Sequence, residues 1–151
     1  MTAANTAALH PLTPLVGIAS LAAATACTTR GPIAHASLPN TPCFAVLLTT
    51  AGTYGTKIDK IVVKAISTSF TAASAAAEVL IWLSDGVTAY VIDEILVTAV
   101  TPNTTTTPSF NTFNTYDNLV LPPGSFLYAS TSVTTTASTT ALSVQAFGGS
   151  Y

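Results

Sequence analysis

Short apolar runs rich in Ile and Val recur along this chain, separated by Thr, Ser, Asn, Gly and Pro. The stretch from Gly55 to Ala99 holds three such runs and predicts the strands around which the fold is organised. In the first run, apolar residues fill one face of an extended chain and two lysines lie on the other. Ile58 falls out of phase with this pattern, so we expect a bulge near Asp59 and Lys60 that returns it to the inner face.

The second run, Val79 to Leu83, is apolar on both faces of an extended chain. Such a strand is covered on both sides, either inside a sandwich or by a second protein. Asp85 and Gly86 follow it, and both residues tolerate the backbone angles of a tight turn. The third run, Tyr90 to Val97, is therefore expected to pair back on the second.

Further strands are expected on either side of these three. Cys43 to Thr49 alternates clearly, and Ser109 to Tyr116 is expected as an edge strand with polar residues on both faces. Ser125 to Val133 and Thr140 to Phe147 are expected to form a hairpin. Leu15 to Thr25 could be a strand or a short helix. About eight short strands with little helix predict an all-β fold, an antiparallel β-sandwich or jelly roll.

The length of 151 residues corresponds to one domain with a sizeable core. We expect an N-terminal arm and loop region at residues 1–42 and a β-sandwich domain at residues 43–151. Met1 to Pro14 is expected to be an extended arm, because it has no periodic apolar face; its composition would also allow a short helix from Ala3 to Leu9. Leu15 to Cys27 has no basic segment before it and few large apolar residues, so neither a signal peptide nor a membrane-spanning helix is expected.

Composition restricts the possible partners. Only 7% of the residues are charged, whereas a typical soluble domain has about a quarter. A surface of hydroxyls and methyl groups is suited to being covered by neighbouring proteins, because desolvating such groups costs less than desolvating ions. With four basic residues and a net charge of -2, binding to nucleic acid or to an anionic membrane is not expected.

Two cysteines, Cys27 and Cys43, are too few for a disulfide framework in a chain of this length. We expect them to be small buried hydrophobic residues. A single bridge between them would be possible in an exported protein.

The carboxylates show no catalytic spacing. Asp93 and Glu94 are adjacent on a predicted strand, so they point to opposite faces and cannot act as a pair. Asp85 is explained by its turn, and Asp59 by a surface ion pair with a neighbouring lysine. The six carboxylates of the chain are Asp59, Glu78, Asp85, Asp93, Glu94 and Asp117.

No other residues form a recognisable chemical site. His10 and His35 stand outside any zinc-binding pattern, and the nucleophile motif Gly-x-Ser-x-Gly is absent. Four aromatic residues could form a sugar-binding platform, but core or interface packing is the more common role for such side chains. They are Trp82, Tyr90, Phe113 and Tyr116. We therefore expect no enzyme activity, catalytic residue, cofactor, metal or small-molecule substrate.

Six segments of turns and strands stand out within roughly residues 50–151. They are Gly55-Thr-Lys-Ile-Asp-Lys-Ile61, Asp85-Gly86, Glu94-Ile95 leading to Val97-Thr-Ala-Val-Thr-Pro102, Leu119-Val-Leu-Pro-Pro-Gly124, Leu127-Tyr-Ala-Ser-Thr131 and Ala146-Phe-Gly-Gly-Ser-Tyr151. These segments resemble small virion structural proteins of tailed bacteriophages, and the resemblance concerns turns and strands, not a chemical site.

The resemblance implies a β-sandwich cement or decoration protein on the capsid surface, made in the bacterial host cytoplasm. The implied partners are the major capsid protein and copies of the chain itself, as a homotrimer. The N-terminal arm is expected to lie across adjacent capsid proteins. The alternative function is a tail or fibre module that binds a receptor such as a carbohydrate.

Overall fold

A computed structural model describes residues 13–40, 42–68 and 71–151 of the chain. This part of the chain has eleven β-strands, and its only helix is a three-residue 3-10 turn at His35–Ser37. The strands are β1 Thr13–Leu21, β2 Ile33–Ala34, β3 Pro39–Asn40, β4 Cys43–Phe44, β5 Val46–Thr50, β6 Thr56–Ala65, β7 Ala77–Ser84, β8 Thr88–Val97, β9 Asn111–Leu121, β10 Phe126–Thr131 and β11 Leu142–Ser150.

All strand pairings among these residues are antiparallel. One sheet has four strands in the order β1-β11-β6-β9, and a second has five in the order β2-β8-β7-β10-β5. The short strands β3 and β4 pair with each other. The all-β, antiparallel character predicted from the sequence is therefore confirmed for the described residues.

The two large sheets pack face to face around one hydrophobic core. The four-stranded sheet contributes side chains of β6 and β11, such as Ile61 and Val144. The five-stranded sheet contributes side chains of β7 and β10, such as Ile81 and Leu127. All four of these side chains are fully buried, and burial of one such aliphatic side chain stabilises the fold by about 1.5–3 kcal/mol.

Strand β6 has the bulge that its apolar pattern predicts. Lys60 pairs with Phe147 of β11, yet the next pair along the ladder is Ile58 with Gly148, so Asp59 is the extra residue. The register against β9 shifts at the same place. Ile58 therefore returns to the inner face, where it is fully buried, and the predicted bulge is confirmed.

Strand β7 is covered on both faces, as its continuous apolar run predicts. Ile81 belongs to the core between the sheets, whereas Leu80 and Trp82 belong to a second hydrophobic cluster on the outer side. Residues 27–40 and 42–45, here called the covering segment, supply the other side chains of that cluster together with β8 and β10. The cover is thus part of the same chain.

Cys27 and Cys43 form a disulfide that closes the covering segment. The prediction of two unbridged cysteines is therefore wrong, although both are buried as expected. The two residues are separated by 16 positions, and their Cα atoms lie 4.1 Å apart. They meet because the chain between them turns back over Trp82, and that return depends on packing that the spacing of the cysteines does not reveal.

The sandwich includes a strand that lies well before Cys43, where the sequence places the domain boundary. β1 pairs along its whole length with β11, from Thr13 opposite Ser150 to Leu21 opposite Leu142. Of the two alternatives for this segment, strand and short helix, the structure has the strand. Of the predicted arm, Met1 to Pro14, residues 1–12 lie outside the described residues, and Thr13 and Pro14 begin β1.

The hairpin predicted from the last two strands is wrong. β10 lies between β7 and β5 in the five-stranded sheet, whereas β11 lies between β1 and β6 in the four-stranded sheet. The connection at residues 132–141 therefore crosses from one sheet to the other. Alternation identifies a strand, but the packing of whole sheets selects its neighbour.

Candidate functional site

Asp93 and Glu94 point to opposite faces of β8, as predicted for adjacent residues on a strand. Asp93 Oδ2 accepts hydrogen bonds from the Tyr116 hydroxyl and from Asn114 Nδ2, the latter at 2.9 Å. Glu94 Oε1 instead pairs with Arg30 Nε at 2.9 Å. Asp93 thus joins β8 to β9 across the edge of the sandwich, and Glu94 helps to hold the covering segment in place.

Two other carboxylates have the local roles predicted for them. Asp59 Oδ1 lies 2.7 Å from Lys57 Nζ, in a surface ion pair. Asp85 Oδ1 accepts hydrogen bonds from the backbone N–H groups of Val87 and Thr88, both at 2.8 Å, in the turn between β7 and β8. These bonds favour the charged carboxylate and lower the pKa of Asp85.

His35 lies among aromatic side chains on the outer side of the five-stranded sheet. Its Nδ1 is 2.8 Å from the Ser84 hydroxyl, and its ring centre is 5.0 Å from that of Phe126 and 5.7 Å from that of Tyr128. His10 lies outside the described residues. Within those residues, no three His, Cys, Asp or Glu side chains are grouped so that they could hold a metal ion.

The four aromatic candidates do not form a common platform. Trp82 is fully buried beneath the covering segment, where its Nε1 donates a hydrogen bond to the Ser130 hydroxyl at 2.8 Å. Phe113 and Tyr116 lie on opposite faces of β9, since Tyr116 turns inward to Asp93 and Phe113 is exposed. Tyr90 is exposed on β8, in the other sheet.

The outer faces of the two large sheets differ in how they are covered. The covering segment lies over the five-stranded sheet, but among the described residues no equivalent segment covers the four-stranded sheet. Ile18 and Phe113 are 64% and 55% exposed on that outer face. They belong to one row across all four strands, because Ile18 pairs with Gln145, Gln145 with Val62, and Val62 with Phe113.

A second row runs beside the first. Val16, which is 58% exposed, pairs with Phe147, and Phe147 pairs with Lys60. The two rows together give this sheet an apolar outer surface that includes β1, the strand assigned by sequence to the N-terminal region. We call this surface the open face; its main residues are Val16, Ile18, Lys60, Val62, Lys64, Phe113 and Phe147.

The charges on the open face are lysines of β6. Lys60 Nζ lies 4.4 Å from the centre of the Phe113 ring, a cation–π arrangement. Lys57 is neutralised by Asp59, whereas Lys60 and Lys64 make no ion pair within the described residues. The open face is therefore apolar and basic, without a cluster of groups suited to catalysis. The sequence alone does not reveal the open face. The alternation of Val16, Gly17, Ile18 and Ala19, which indicates strand β1, lies in a segment whose pattern also allows a short helix.

The chain matches no protein-family model, no curated protein and no solved structure. Among the described residues, no helix is long and apolar enough to span a membrane. Function is therefore inferred from the surfaces and contacts of the chain itself.

The hydrogen bonds between Asp93 and β9 lead to a stability prediction. Replacing Tyr116 with phenylalanine is expected to lower the free energy of unfolding by about 1 kcal/mol, since it removes a bond to a charged acceptor that is partly open to water. Burial and the neighbouring Asp93 also raise the pKa of Tyr116. The folded chain therefore keeps a phenol proton that the unfolded chain loses above about pH 10, and stability should fall as the pH rises past that value.

Urea unfolding of wild type and Tyr116→Phe at about pH 8 and about pH 11 measures both effects. The wild type is expected to lose more stability between the two pH values than the variant does. Tyr54→Phe is the matched control, because Tyr54 is 76% exposed and should behave as wild type. An equal loss in Tyr116→Phe and wild type would contradict the prediction.

Proposed function

We propose that this chain is a structural protein of a tailed-bacteriophage virion, of the cement or decoration type. It binds and stabilises the major capsid shell from the capsid surface, associates with copies of itself as a homotrimer, and is made in the host cytoplasm. The observation that carries the proposal is the open face, an exposed apolar surface on a domain whose other outer face is partly covered by its own chain.

Exposed apolar surfaces of this kind are typical of protein–protein contacts. Val16, Ile18 and Phe113 are each more than half exposed and lie on one face of one sheet. The face is spread across four strands, which suits contact with another protein better than enclosure of a small ligand. The low charge of the chain supports the same role, because little ionic surface has to be desolvated when neighbours cover it.

We further propose that the sandwich has jelly-roll connectivity. The strand order supports this, since β1 lies beside the last strand, β11, and β6 lies between β11 and β9. In the other sheet, the long strands follow the complementary order β5-β10-β7-β8. Jelly rolls of eight long strands are found in viral capsid proteins and in lectins.

The disulfide between Cys27 and Cys43 also fits a virion protein. Disulfides persist in oxidising surroundings, which include the surfaces of virions. The bridge fastens the covering segment over Trp82 and would protect this part of the fold outside the cell.

Copy number in purified phage particles tests the proposed function. A cement protein is expected in numbers comparable to the major capsid protein, and gel densitometry of particles made in the host measures the ratio. Avidity over many copies would make retention strong even where single contacts are weak. A few copies per particle would instead indicate the fibre or receptor-binding alternative, and absence from the particles would refute both.

A chain that begins at Thr13 tests whether the N-terminal arm holds the protein on adjacent capsid proteins. This shortened chain should fold but dissociate from particles, and the same densitometry measures how much of it remains bound.

A further inference from the structure

Charge is divided unevenly between the two sides of the sandwich. The four-stranded sheet carries three of the four basic residues, all of them lysines on β6, against Asp59 and Asp117. The five-stranded sheet, with its turns and covering segment, carries Arg30 against the other four carboxylates. One side therefore has an excess of one positive charge and the other an excess of three negative charges, in agreement with the net charge of -2.

An exposed apolar residue lies within the acidic side. Leu96 is 67% exposed and pairs with Glu78 in the β7–β8 ladder. Glu94 lies two positions before Leu96, on the same face of β8. Arg30 pairs with both carboxylates, so this group retains one net negative charge. We call these four residues the acidic patch.

The open face is poorly suited to meet the open face of a second copy. Such a symmetric contact would bring the unpaired Lys60 and Lys64 of both copies into one interface, and like charges across an interface oppose association. The acidic patch of a second copy offers the opposite arrangement, because it combines an exposed leucine with excess negative charge.

We infer that copies of this chain associate head to tail, with the open face of one copy against the acidic patch of the next. Val16, Ile18 and Phe113 cover Leu96 of the neighbour, and Lys64 lies close to its carboxylates. Because the two surfaces differ, each copy can contact one neighbour on each side, which produces a ring when the rotation closes. The inference builds on the proposed self-association and specifies the surfaces that mediate it.

Binding of a soluble copy to an immobilised copy, measured at low salt, tests this contact. Lys64→Glu alters the open face and Glu94→Lys alters the acidic patch. Each variant is expected to bind its own kind at least about tenfold more weakly than wild type binds itself, because a close charge pair is reversed. The two variants should nevertheless bind each other with an affinity close to that of wild type.

This rescue is specific to a head-to-tail contact. Lys64→Glu keeps a normal acidic patch and Glu94→Lys keeps a normal open face, so the mixed pair has one intact interface. A symmetric contact between two open faces would leave Glu94→Lys unaffected and would give no rescue. Wild-type copies that do not bind each other, or folded variants that fail to bind each other, would overturn the inference.

Two further variants separate interface effects from folding and net charge. Glu94→Lys removes one partner of Arg30, so Leu96→Thr, which leaves both ion pairs in place, should also weaken binding. Val87→Glu adds a negative charge at a turn position that is 75% exposed, at the other end of β8 from Leu96 and in the other sheet from the open face, and should bind as wild type does. Normal self-association of the Leu96→Thr variant would show that the acidic patch takes no part in the contact between copies.

The outcome is distinguishable from that of the particle experiment. If the chain is abundant in particles but the variants show no rescue, the head-to-tail contact is wrong and the proposed function stands. If rescue occurs but the chain is absent from particles, the contact is correct and the proposed function is wrong.

Discussion

Replacing Trp82 with alanine is expected to lower the free energy of unfolding by about 3–5 kcal/mol, the range measured for removal of a fully buried aromatic side chain. Trp82 is 0% exposed and packs between β7 and the covering segment. Alanine would leave a cavity there and would also leave the buried Ser130 hydroxyl without its donor. Urea unfolding monitored by circular dichroism measures the loss of unfolding free energy, because the variant has no tryptophan fluorescence.

Two variants define the limits of this effect. Trp82→Phe keeps most of the buried ring and should lose clearly less stability than Trp82→Ala. Tyr54→Ala removes an aromatic side chain that is 76% exposed and should change stability by no more than about 0.5 kcal/mol. If Trp82→Ala were as stable as Tyr54→Ala, the outer cluster would not contribute to the fold.

Removal of the disulfide is expected to have the second largest effect. In the chain-entropy account, a bridge across 16 positions stabilises a protein by about 3 kcal/mol. The double variant Cys27→Ala, Cys43→Ala should lose roughly that amount in urea unfolding. It should also expose the covered tryptophan to solvent, because the covering segment loses its covalent closure.

The chain has one tryptophan, so its fluorescence reports on the covering segment alone. Acrylamide quenching of Trp82 is expected to rise in the double variant. Thr28→Ala, at an exposed position next to the bridge, is the control and should leave quenching unchanged. Unchanged quenching in the folded double variant would mean that packing by Leu38 and the ion pairs of Arg30 hold the segment without the bridge.

Local features of the fold could be predicted because their causes lie in neighbouring residues. The phase slip at Ile58 predicts the bulge, because one extra residue returns Ile58 to the inner face whichever strand it pairs with. The Asp85-Gly86 turn depends on backbone angles and on an acceptor within three residues. The ion pair between Lys57 and Asp59 likewise joins residues two positions apart.

Features that depend on distant parts of the chain could not be predicted in the same way. The partners of β10 and β11 are decided by which sheets pack together, and the hairpin prediction failed for that reason. The disulfide depends on the path of the covering segment over Trp82. The open face extends to Val16 and Ile18 only because β1 joins the sheet beside β11, which the ambiguous pattern at Leu15 to Thr25 did not settle.

The sequence by itself determined that this protein is an antiparallel all-β domain with little charge, a bulged β6 and a β7 covered on both faces. These properties follow from the period of apolar residues and from composition, which do not depend on the partners of each strand. The tertiary structure decided which outer face is covered by the chain itself and which remains open. That choice depends on contacts between residues far apart in sequence, and no local pattern records them.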